Sequence, residues 1–241
     1  MPEYYIGTSG WHYDHWRGLF YPENLAKPKW LGFYAEHFTT VELNNSFYHL
    51  PSEAAFSNWR KFSPNGFVFA VKVSRFITHI KRLKNAEEPL ANFLSRADFL
   101  QDKLGPFLYQ LPPRMKRNDE ALEAFLSMLS ERYRHVIEFR HESWLDKSVF
   151  NILRRHNVGL CVFDMPGFTC PVIATSDFAY VRFHGSTGLY FSCYSEGELC
   201  EWAKRIVELG QKLKTVYIYF NNDAEAFAVR NAQELGRMLK G

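Results

Sequence analysis

Cysteine is scarce in this chain and unpatterned: Cys161, Cys170, Cys193 and Cys200 are the only four in 241 residues. Neither CxxC nor CxxxxC spacing occurs, so a disulfide framework is excluded and a reducing, cytoplasmic setting is expected. Long apolar runs are missing too, which leaves no membrane-spanning segment and no membrane partner. The opening "YYIGTSGW" reads as a strand rather than a secretory leader. Charge of one sign is barely in excess: Lys and Arg total 29 against 26 for Asp and Glu, a net +3. Bulk charge therefore names no partner. There is no GxSxG, P-loop, dinucleotide fingerprint or HExxH, which removes the functions those motifs mark.

What is present is apolar and aromatic material, 46% and 17% of the residues, enough for one large core. Short β-type runs recur at even spacing: residues 4–9, 39–45, 67–74, 106–111, 135–140, 158–164, 179–184 and 215–222. Helical stripes fit between most of them, such as Trp30/Tyr34/Phe38, Leu122/Phe125/Leu126/Leu129 and Leu199/Trp202/Ala203/Ile206. A last stripe, Ala224/Phe227/Ala228/Asn231/Leu235, follows "NND", which offers an N-cap. The sixth unit is atypical, because "MPGFTCPVIATSD" is too short and Pro-rich for a helix. Eight strands at about 30 residues per unit predict a single-domain (β/α)₈ TIM barrel, a parallel closed α/β sheet over residues 1–241. A doubly wound open sheet would announce a Gly-rich first turn, which "GTSGW" only weakly imitates.

The period of two then assigns faces. If Val41 and Leu43 face the helices, Glu42 and Asn44 face the barrel axis. The same rule places Lys72, Glu138, Arg140, Arg182, His184, Tyr219 and Asn221 inside, and Gln110 ends the fourth strand. Asp164 is grouped with them on the sixth. Polar residues in the C-terminal halves of so many strands predict a pocket where barrel enzymes place their chemistry.

The segments "GTSGWHYDHWRGLFYP", "VELNNSFYHLP", "FVFAVKVSRFITH", "YQLPP", "VIEFRHESW", "YVRFHG" and "VYIYFNND" together resemble the YecE-like family, a domain of unknown function numbered 72. The likeness runs from about residue 4 to the C-terminus. It implies a TIM barrel with a polar pocket at its C-terminal face, and no settled reaction.

Three carboxylates (Glu42, Glu138, Asp164) and three cations (Lys72, Arg140, Arg182) are expected in that pocket, with His184 as a proton shuttle. Glu42 is expected beside Lys72 and Asp164 beside Arg182. Such pairing lowers carboxylate pKa values, which suits a base or a stabiliser better than the protonated acid of a glycosidase. It would also raise the pKa of Lys72 and oppose a Schiff base there. No cofactor is implied, although Glu138 and Asp164 on adjacent strands admit a weak Mg²⁺ or Mn²⁺ site.

For substrate binding, Arg182, Gly185 and the helix start near Asn221 and Asn222 are the expected phosphate cradle. The rim adds Trp11, Tyr48 and Trp144, with basic runs at residues 74–84 and 114–117. Basic groups among aromatics suit a small phosphate-bearing ligand or nucleic acid. The reading is a hydrolase or lyase acting on an anionic, phosphate-bearing substrate. Its rivals are a non-catalytic nucleic-acid or metabolite-binding module whose ion network is structural, and glycosidase-like carboxylate chemistry.

Overall fold

The computed structural model describes residues 1–240. Strands and helices alternate: β1 Glu3–Thr8, α1 Trp30–His37, β2 Thr40–Leu43, α2 Glu53–Phe62, β3 Val68–Lys72, α3 Glu87–Ala97, β4 Leu104–Gln110, α4 Asp119–Leu126, β5 His135–Glu138, α5 Lys147–Arg155 and β6 Gly159–Asp164. Then follow β7 Phe178–Phe183, α6 Glu196–Gly210, β8 Thr215–Phe220 and α7 Phe227–Lys240. All strand pairings are parallel, as a (β/α)₈ barrel requires. No helix lies between β6 and β7. Thr175 laces that irregular return to the barrel wall, accepting from Leu160 N and donating to Val158 O, both at 2.7 Å.

Local chemistry starts the helices where the stripes begin. Ser195 and Glu198 form a capping box at α6, and Asn118 accepts from Ala121 N at 2.7 Å to open α4. The last helix differs from expectation. Asn222 is fully buried and donates to Ser192 O and Asn231 Oδ1, so it caps nothing. A short 3₁₀ turn at Ala224–Ala226 intervenes before α7.

Two apolar layers result. The outer one packs Val41, Leu43, Ile137 and Phe139 against helical residues such as Trp30, Leu122 and Leu199. The inner one fills the barrel with Ala70, Leu108, Val136, Cys161, Phe178, Tyr180, Tyr217 and Tyr219. This layer fixes the phase of β6: Cys161 points inward, and Leu160 and Val162 point to the helices.

The sheet is nearly, not fully, closed. Its order runs β1-β8-β7-β6-β5-β4-β3-β2, with no ladder between β1 and β2. The seam is bridged by one side chain of α1. The buried Tyr34 hydroxyl accepts from Thr8 N at 2.9 Å and donates to Thr40 O at 3.1 Å. Gly7 lets the two strands approach, since a Cβ there would lie 2.2 Å from Thr40 O. Tyr34→Phe should therefore orphan two buried backbone groups at once and cost roughly 1–3 kcal/mol. Urea denaturation would read this as a lower midpoint, and protection of the Thr8 amide from hydrogen exchange should fall with it.

Candidate functional site

One guanidinium organises the upper barrel. Arg182 of β7 reaches the axis, fully buried. It donates from Nη2 to Glu42 Oε1 of β2 and from Nη1 to Glu138 Oε2 of β5, each at 2.7 Å. Glu42 also accepts from Ser9 Oγ and from the Tyr180 hydroxyl, both at 2.6 Å. Glu138 accepts from Arg140 Nε and more weakly from Cys161 Sγ at 3.5 Å. Arg140 continues the chain, donating to His184 Nε2 at 2.8 Å and lying over the Phe163 ring at 4.7 Å.

The electrostatics follow from this geometry. Burial alone would raise the Glu138 carboxyl, but the Arg140 and Arg182 guanidiniums outweigh it and hold the group well below the usual carboxylate range. Burial and then the same two guanidiniums push His184 well below its ordinary value, so it is a neutral imidazole. Its Nε2 accepts from Arg140, and its Nδ1 faces the Asn221 amide at 3.1 Å. Both ring nitrogens are engaged, which makes His184 a prop for Arg140 and leaves no nitrogen to shuttle a proton.

Three expectations are overturned. Asp164 continues the outward phase of β6 and faces Tyr194 and Trp202, with a carboxyl raised by burial. It pairs with neither Arg182 nor Glu138, so a shared Mg²⁺ or Mn²⁺ site has no geometry. Among the described residues, no cluster of three or more metal-ligating side chains occurs. Lys72 is not the partner of Glu42, which is held by Arg182, Ser9 and Tyr180. The phosphate cradle after β7 and β8 is occupied by the protein itself: Arg182 is spent on carboxylates, Gly185 N donates to the Tyr194 hydroxyl at 3.1 Å, and Asn222 is buried.

Lys72 is the outlier. It ends β3 half-buried, with Nζ 4.2 Å from the Phe47 ring centroid. Among the described residues, Nζ makes no hydrogen bond or ion pair. Burial, then the Arg182 charge, pull its pKa down to about 8.

The aromatic rim divides. Trp144 is buried, stacked on Phe139 at 4.8 Å and donating to Met115 O, so it is core. Tyr219 lies deeper, in contact with Thr40 Oγ1 at 2.7 Å. Trp11, Asn44 and Tyr48 do come together, lining a cleft of about 370 Å³ with Trp59 and Tyr13. Gln110 and Asn221 are half-buried at strand ends. The sequence reading missed Ser9 and the hydroxyl of Tyr180 as partners of Glu42. Extending the β1 alternation from Tyr5 through Gly7 would have found Ser9.

Arg182→Ala should leave Glu42 buried without its cation and Glu138 with Arg140 alone, at a cost of about 3–5 kcal/mol. Denaturant unfolding measures this directly. The same substitution at exposed Arg75 should change the midpoint negligibly.

The comparisons agree with this architecture. A family model described as "Protein of unknown function DUF72" matches residues 5–241. The chain is 29% identical to the UPF0759 protein YunF of Bacillus subtilis, over 98% of this chain and 94% of that one. It is 30% identical to the UPF0759 protein YecE of Escherichia coli K12, over 59% of this chain and half of that one. Among solved structures, a DUF72 family protein of Thermotoga maritima superposes with a TM-score of 0.89 at 33% identity, covering 99% of this chain and 100% of that one. A DUF72 family protein of Enterococcus faecalis gives 0.83 at 21% identity, covering 100% and 99%. With a family model spanning nearly every residue and the same barrel in its solved relatives, this chain belongs to the DUF72 family.

Proposed function

We propose that the chain is an enzyme, a hydrolase or lyase, acting on a small anionic, phosphate-bearing substrate at the barrel mouth. One observation carries this reading: the inward charges do not balance. With Asp164 facing the helices and His184 neutral, Lys72, Arg140 and Arg182 stand against only Glu42 and Glu138, one positive charge in excess. The surplus falls on Lys72, the one member without a partner and the one nearest solvent. An anion is the ligand that would complete the set.

The same geometry disfavours the glycosidase alternative. Both inward carboxylates are engaged by donors of the protein itself, Glu42 by Arg182, Ser9 and Tyr180 and Glu138 by Arg182 and Arg140, so neither is free to face a leaving group. The basic rim, with Arg75, Arg82, Lys84, Arg114 and Lys116 exposed, would assist a longer polyanion. Arg117, by contrast, is tied to Asp119 and Asp146.

A thermal-shift panel of inorganic phosphate, sugar phosphates, nucleotides and oligonucleotides tests the reading. A ligand at a hundred times its Kd stabilises by about 2.7 kcal/mol, which is roughly 5–10 °C in a chain of this size. Lys72→Met should weaken phosphate binding about tenfold. No shift with any anion, or an equal shift in the variant, overturns the proposal.

The unliganded protein should respond in the opposite sense. The folded pKa of Lys72, about 8, lies below its free value of 10.5. The unfolded chain therefore binds more protons between those pH values, and stability rises with pH across that window. The groups that set this are Arg182, Glu138, Glu42 and Arg140 facing Lys72, with His79 beside it. Below pH 8 Lys72→Met should be more stable than the wild type by roughly 2–3 kcal/mol. Melting curves of the two proteins should converge as pH approaches 10.5.

A further inference from the structure

The strongest unexplained group in the molecule is the amine of Lys72. The other inward charges at its level are locked: Glu42 by three donors, Glu138 by Arg140 and Arg182, and Arg140 by Glu138, Met165 and His184. Lys72 has an aromatic face and a water-accessible tip instead. Its main chain is fixed, because Ser46 Oγ donates to Lys72 O at 2.6 Å and Val73 N donates to Leu108 O at 2.8 Å. A rigid strand end thus presents, at the C-terminal end of β3, an amine without a hydrogen-bond partner among the described residues. A second cation nearby and partial desolvation are the two conditions that turn a lysine from a charge into a nucleophile.

We propose that Lys72 captures the carbonyl carbon of the substrate as an imine, which makes the substrate a phosphorylated aldehyde or ketone and the reaction that of a lyase. The substrate class rests on the anion reading above; the nucleophile does not. The neutral amine's lone pair forms the N–C bond, and the carbonyl π pair moves to oxygen. Nitrogen gives up one proton, and oxygen takes that proton and a second from solvent and leaves as water. The product is the iminium, and no oxidant or reductant is needed. A pKa of about 8 leaves roughly a tenth of the amine neutral at pH 7, against fewer than one in a thousand for an ordinary lysine. The resulting iminium is an electron sink, which selects a lyase over a hydrolase. Phe47 shields one side of the nitrogen, and the iminium restores the positive charge that the neutral amine gave up. The exposed basic side chains of the rim, Arg75 and Lys84 among them, are left to receive the phosphate.

The test is reductive trapping. The full chain is incubated at pH 7.5 with dihydroxyacetone phosphate or with uncharged glyceraldehyde, then with borohydride, and the adduct is mapped by peptide mass. The expected result is one adduct per chain on Lys72, formed at least ten times faster than on any other lysine. It should be lost in Lys72→Met and in Lys72→Arg, with inorganic phosphate slowing labelling by the phosphorylated probe. Lys72→Arg keeps the charge, so its melting curve shows whether loss of labelling reflects loss of the amine rather than loss of the fold. Labelling spread evenly over surface lysines overturns the imine. So does a thermal shift with dihydroxyacetone phosphate and no adduct, which leaves the anion reading standing. Equal labelling of Lys72 by both probes, without competition from phosphate, supports the nucleophile and overturns the anion reading.

Discussion

The upper half of this barrel depends on a guanidinium held across its axis between two carboxylates. Arg182 comes from β7, Glu42 from β2 and Glu138 from β5, so the interaction joins widely separated strands. Taking three charges out of water is costly, and the arrangement persists because nearly every lone pair finds a donor. Ser9 just after β1, Tyr180 within β7, Cys161 within β6 and Arg140 just after β5 supply those donors. A polar plug of this kind makes the barrel mouth unforgiving of any change beneath it. It also fixes the positive potential felt by whatever lies above.

That division explains why the polar residues read as one pocket serve two purposes. Glu42, Glu138 and Arg182 are bolts, fully buried and tied to one another, with only the Nε of Arg182 left without a partner among the described residues. Lys72, Asn44, Gln110 and Asn221 sit one step nearer solvent, only half-buried. Under the proposed function, chemistry belongs to the second group, with its reactivity set by the first.

The eight strands were legible because apolar alternation and turn residues mark them, and five of them, β2, β3, β5, β7 and β8, also declared which face looks inward. Glu42, Glu138, Arg140, Arg182 and His184 were found by counting in twos. The sixth strand resisted because Gly159, Leu160, Cys161, Val162 and Phe163 are buried on both faces, and a strand that is apolar all round carries no alternation. Its phase was then taken from Asp164, the one polar residue, which faces the helices. Two other errors had a different origin. Trp144 and Asn222 are residue types common in binding sites, but each spends its side-chain N–H donors on the protein itself. Nothing local in sequence reports such long-range partners. The pKa of Lys72 was misjudged for the same reason, since its direction turns on which cation or carboxylate lies across the barrel rather than on the next strand.

The missing ladder between β1 and β2 has a bearing on how the barrel is assembled. From β3 to β8 each strand pairs with the one made just before it. β1 alone has its ladder with the last, Glu3 opposite Thr215. An open sheet can therefore grow strand by strand during synthesis while β1 waits beside it, and the ring closes only when β8 arrives. That final step carries the largest loop-closure entropy in the fold. It is also the step that brings Ser9 to Glu42, so the polar plug is completed by the same event that completes the barrel.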